Sequence, residues 1–89
     1  MSLADSMRRK LADALQPTDL EIVDESARHA GHAGARPEGE THFRMRIVSP
    51  AFAGLSRIER QRRVHAILAE ELRTRVHALS LDVRVPGEA

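Results

Sequence analysis

From residue 41 to residue 85 the spacing of apolar residues changes twice, from two to about 3.6 and back to two. In residues 41–48, Phe43, Met45 and Ile47 alternate with His42, Arg44 and Arg46, as in a strand with one buried face. A Ser49-Pro50 break and a Phe52-Ala53-Gly54 turn follow. Ser56-Arg57-Ile58-Glu59 then supplies a capping box for a helix, whose expected buried stripe is Ile58, Val64, Ile67, Leu68 and Leu72. A second alternating run, residues 78–85, turns Leu79, Leu81, Val83 and Val85 inward and stops at Pro86-Gly87. A strand, a helix and a strand in that order return the chain in its first direction. The two strands should therefore be parallel, joined by a right-handed crossover.

The residues before this unit add one helix and one strand. Leu3, Met7, Leu11, Ala14 and Leu15 recur at spacings that place them on one helical face, Ser2 with Asp5 resembles an N-terminal cap, and Pro17 ends the helix. Residues 20–24 read as a short strand with Leu20 and Ile22 on one side. Between the first two strands, residues 26–39 form a loop rich in Gly, Ala and His, of a length usually reserved for function or mobility. The expected fold is α+β and two-layered, with the order helix, strand, strand, helix, strand. Its sheet is three-stranded and mixed, the first pair antiparallel, with both helices on the single apolar face. Residues 1–89 make one domain.

Composition narrows the function. With no cysteine, neither disulfides nor thiol catalysis are available, which suits a reducing cytoplasm. A net charge of +1 does not support binding to nucleic acid by bulk charge, although a local basic surface is compatible with it. Phe43 and Phe52 are the only aromatic residues, so the stacking platforms that grip single-stranded RNA are missing. No apolar run reaches the ~20 residues that cross a bilayer, and no signal peptide is seen. Neither a nucleophile motif, a Walker loop nor a paired acid and base appears, so the chain is not expected to be an enzyme.

The residues with ligand chemistry are the histidines. His29 and His32 share the loop, where imidazole suits Zn, Cu or Fe but is as often simply solvated. His65 falls beside Ile58 and Leu72 and reads as a packing residue, while His42 alternates outward and stays ambiguous. His77 stands where the helix hands over to the last strand, as a ligand or as a hydrogen-bonded anchor. Arg57, Arg60, Arg62 and Arg63 make the helix basic, either as a solvated surface balanced by Glu59, Glu70 and Glu71 or as a contact face. Glu59 with Arg63, and Glu71 with Arg75, are spaced for i, i+4 pairs. Arg60 alone sits at the edge of the apolar stripe. Gly31-His32-Ala33-Gly34 matches a phosphate-clamping GxxG pattern, but it joins two strands rather than two helices.

Taken together, Glu40-Thr41-His42-Phe43, Ile47-Val48-Ser49, Phe52-Ala53-Gly54, Arg60-Gln61-Arg62-Arg63-Val64, Leu68-Ala69-Glu70-Glu71-Leu72 and Val76-His77-Ala78-Leu79 resemble the BolA family. Gln61 departs from that pattern, where the family usually carries histidine between two arginines. The resemblance implies a type II KH-like fold and two separate activities. In one, the chain joins a monothiol glutaredoxin in a heterodimer bridged by a [2Fe–2S] cluster shared with glutathione, in iron homeostasis or cluster trafficking. The cluster ligands it implies are His77 and a loop histidine, His29 by position with His32 as the alternative; the chain alone would carry no cofactor. In the other, the chain is a DNA-binding transcriptional regulator of stress response and cell shape. Its duplex contacts would come from Arg57, Arg60, Arg62 and Arg63, with Arg44 and Arg46.

Overall fold

The computed structural model describes residues 2–25 and 42–88. In chain order they form α1 (Leu3–Leu15), β1 (Asp19–Asp24), β2 (His42–Val48), a 3-10 turn (Pro50–Phe52), α2 (Arg57–Ile67), α3 (Ala69–Thr74) and β3 (Ala78–Arg84). Both long helices open on capping boxes. Ser2 Oγ accepts from the Asp5 N–H and Ser56 Oγ from the Glu59 N–H, while each carboxylate accepts from the N–H of its serine. Helix α1 ends because Gln16 turns left-handed at φ 46° and Pro17 follows, unable to continue the hydrogen-bonded spiral.

The sheet has the order β1-β2-β3, with β1 antiparallel and β3 parallel to β2. The register pairs Leu20 with Ile47 and Ile22 with Met45 on one side, and Phe43, Met45 and Ile47 with Leu79, Leu81 and Val83 on the other. These rows share one face. Against it lie Met7, Leu11 and Leu15 of α1 and Val64 and Leu68 of the helical crossover, in one core cluster with Phe43, Met45 and Ile47. The α+β, two-layer architecture expected from the periodicities is the observed one.

The helical crossover differs from expectation. It bends at Leu68 (φ −101°, ψ 19°), which separates α2 from α3 while the Leu68 N–H still bonds to Val64 O and Leu68 O still accepts from Leu72 N–H. Ile58, expected inside, is 61% exposed. The inward stripe runs Arg60, Val64, Leu68, Glu71, with Ile67 beside it. Ile58 stands two residues from Arg60, roughly 200° around the helix axis, and so faces away. His65, one residue past Val64, is exposed rather than packed. The i, i+4 pairs do not form as spaced, because Glu59 is held by its cap and Glu71 reaches another helix.

Two polar groups are built into the core. Ser49 is fully buried, and its hydroxyl donates to Leu15 O at the end of α1 and accepts from the Ala51 N–H, tying α1 to the turn that inserts Phe52. Glu71 Oε2 lies 2.7 Å from Lys10 Nζ, with the glutamate side chain only 7% exposed, and Glu71 Oε1 has no partner among the described residues. Lys10→Ala is expected to cost about 1–3 kcal/mol, since it leaves that carboxylate desolvated and unpaired. Lys10→Met combined with Glu71→Leu should recover most of the loss. Urea unfolding of the single and double variants checks both statements.

Candidate functional site

Because β2 and β3 are parallel they begin at the same end of the sheet, and the antiparallel β1 finishes there. His42 is the first residue of β2 and is paired in register with Ala78, the first residue of β3. His77 immediately precedes that pair. Val76, 6% exposed, anchors the junction in the core and donates its N–H to Glu71 O at 2.8 Å, leaving the next side chain, His77, exposed to solvent. The rings of His42 and His77 lie with centroids 6.2 Å apart and planes 16° from parallel. On the other side of His42, its carbonyl accepts from the Glu25 N–H at 2.7 Å. The chain therefore leaves the described sheet at Glu25 and re-enters it at His42, at the same end of the sheet as His77.

His29 and His32, and the Gly31–Gly34 pattern, lie outside the described residues. His42 is the histidine that sequence reasoning left unassigned. Its alternation places it on the outer face, but its neighbour emerges only once the register between β2 and β3 is known. Among the described residues no three His, Cys, Asp or Glu side chains gather to hold a metal ion. A metal at His77 would thus draw its remaining donors from elsewhere.

The arginines separate into two surfaces. Arg44 and Arg46 project from the outer face of the sheet and are engaged there, Arg46 with Asp19 at 2.9 Å and Arg44 with Glu25 at 3.6 Å. Arg57, Arg60, Arg62 and Arg63 belong to α2, which covers the opposite face. Arg57, Arg62 and Arg63 are exposed, without an ion pair among the described residues. Arg60 is largely buried and structural, its Nε donating to Leu55 O and its Nη1 to Val83 O. Its Nη1 also meets Glu88, and this contact, followed by the Val85 N–H, holds the Glu88 carboxyl below its ordinary value.

The model of the family described as BolA-like protein matches residues 11–88. The chain belongs to the BolA family. It is 47% identical over 88 residues to the chloroplastic protein BOLA1 of Arabidopsis thaliana, covering 97% of this chain and 55% of that one. The chain thus spans about half the length of that relative. It is 44% identical over 81 residues to the DNA-binding transcriptional regulator BolA of Escherichia coli, covering 91% and 73%. The solved structure of BolA1 from Arabidopsis thaliana superposes with a TM-score of 0.89 at 44% identity, covering 100% of this chain and 97% of that one. Among the described residues, no helix of this BolA-like chain is long and apolar enough to cross a membrane.

Proposed function

We infer that this BolA-like chain is a non-enzymatic partner of a monothiol glutaredoxin, in iron homeostasis or cluster trafficking in a reducing cytoplasm. It would contribute imidazole ligands to a [2Fe–2S] cluster held between the two proteins. The observation that carries this reading is the placement of His77, exposed and fixed by the buried Val76, at the end of the sheet where the chain departs toward His29 and returns. The family resemblance makes His29, with His32 as the alternative, the candidate second donor, and His29 lies four residues after Glu25, a tether that reaches at most about 14 Å. The donor chemistry fits. Imidazole replaces thiolate on one iron in Rieske centres, and a cysteine-free chain must leave sulfur ligation to a partner and its glutathione. When bound, the cluster supplies an iron–sulfur centre for sensing or transfer; the chain's own residues orient and expose the imidazole. Mixing the purified chain with a cluster-loaded monothiol glutaredoxin, and recording visible absorption and circular dichroism, tests the reading. A spectrum identical to that of the glutaredoxin alone would sink it.

A second reading, contact with duplex DNA, is favoured by the exposed arginines of α2 and by the name of the Escherichia coli relative. Arg44 and Arg46 carry less of it, being ion-paired on the opposite face. Arg62→Glu with Arg63→Glu is expected to weaken duplex binding and to flatten its dependence on salt, since fewer phosphate counterions are released. Anisotropy at several salt concentrations decides, and equal binding by wild type and double variant clears α2 of the role.

A further inference from the structure

Arg60 occupies an inward position of α2 where an apolar side chain would be expected, and its own side chain is 14% exposed. Its guanidinium joins the segment before α2 to β3, the outer strand of the described sheet, through Leu55 O at 3.0 Å and Val83 O at 3.2 Å. The remaining acceptor comes from outside the core. Glu88 Oε1 lies 2.7 Å from Arg60 Nη1, and the same oxygen accepts from the Val85 N–H at 3.2 Å. A guanidinium and a backbone amide therefore converge on one carboxylate oxygen. A cleft of about 420 Å³ opens at this point, lined also by Arg57, Gln61 and Arg84. Arg84 is paired with Asp82 at 2.8 Å, whereas Arg57 has no ion pair among the described residues. Glu88 reaches the cleft from a short turn closed by its own N–H to Val85 O, and its side chain is 39% exposed.

We propose that this cleft is a receptor for the carboxylate of an acidic, extended segment of a partner protein, and that Glu88 holds its place in the unbound chain. The chemistry selects the ligand. A planar guanidinium beside an amide donor matches a carboxylate, and the site already accommodates one. Glu88 is the exposed member of its pair with Arg60, and exchange for a partner carboxylate replaces one carboxylate by another while the Arg60 bonds to Leu55 O and Val83 O stay in place. Arg57, Arg62 and Arg63 on the same helix add a positive field that steers an acidic segment toward the cleft. The site is independent of His77, which lies about 20 Å of strand away from Val83. Because the internal carboxylate competes, apparent affinity is reduced by the fraction of chains in which the cleft stands open.

That competition gives substitutions of opposite sign. The isotope-labelled chain is titrated with acetylated, amidated hexaglutamate, with hexalysine, and with a twelve-base-pair DNA duplex, while the Arg60 Nε–H and Val85 amide resonances are followed. Hexaglutamate is expected to move both resonances and hexalysine neither. Glu88→Ala should bind hexaglutamate roughly threefold or more tightly than wild type, and Arg57→Ala more weakly. Hexaglutamate should also raise the unfolding midpoint of Glu88→Ala more than that of wild type, which separates a vacated receptor from a merely loosened terminus. Unchanged or weaker binding by Glu88→Ala overturns the proposal. So does a duplex that moves these resonances where hexaglutamate does not.

Discussion

Leu68→Ala is expected to lower the unfolding free energy by about 2–5 kcal/mol, the range for truncating a buried leucine. Leu68 is fully buried, and it sits at the bend where α2 passes into α3. Its side chain belongs to the cluster containing Met7, Leu11, Phe43 and Val64, so the vacated volume would open between both layers of the domain. A domain of this size holds only about 5–15 kcal/mol in total, so the loss is a large share of its stability. Ile58→Ala makes the matched control, because 61% exposure predicts a change within about 0.5 kcal/mol. Urea midpoints for the two variants check the assignment. Equal losses, or a larger one at Ile58, would contradict the observed inward face of α2.

The contrast between those two positions shows what the residues alone disclose. The strands were legible because a period of two admits only two faces, and Phe43, Met45 and Ile47 occupy one of them without exception. Parallel pairing of β2 with β3 followed from the helix between them. The inward stripe of the helical crossover was legible in part: Val64, Ile67, Leu68 and Leu72 pack on the core as their spacing implies, and Ile58 does not. The stripe also includes Arg60 of α2, bonded to Leu55 O and Val83 O, and Glu71 of α3, whose Oε2 meets Lys10, and those partners lie far away in sequence or in the backbone. With two polar residues inside, apolar spacing alone puts Ile58 in the stripe. Phe52 likewise reads as part of a turn, and becomes core because the buried Ser49 hydroxyl ties that turn to the end of α1. His77 stood out by its position at the junction, but its neighbour His42 depends on strand register, which composition and spacing do not encode.

His77→Ala is expected to abolish the spectral change that the wild-type chain produces when mixed with a cluster-loaded monothiol glutaredoxin. His77 is exposed and its backbone position is held by Val76 in the core, so the substitution should leave the unfolding midpoint within the range of ordinary surface changes, about 0.5 kcal/mol. Loss of the complex can then be assigned to the missing donor rather than to unfolding. His29→Ala should weaken the change without removing it, because His32 lies three residues further along the same segment and offers the same imidazole. The double variant His29→Ala with His32→Ala should approach the effect of His77→Ala if the second donor comes from that segment. Visible circular dichroism reads the ligand set, and size-exclusion chromatography reads heterodimer formation separately. Should His77→Ala give the wild-type spectrum, His77 is not a ligand, and its contact with His42 would be left as a structural feature of the strand ends.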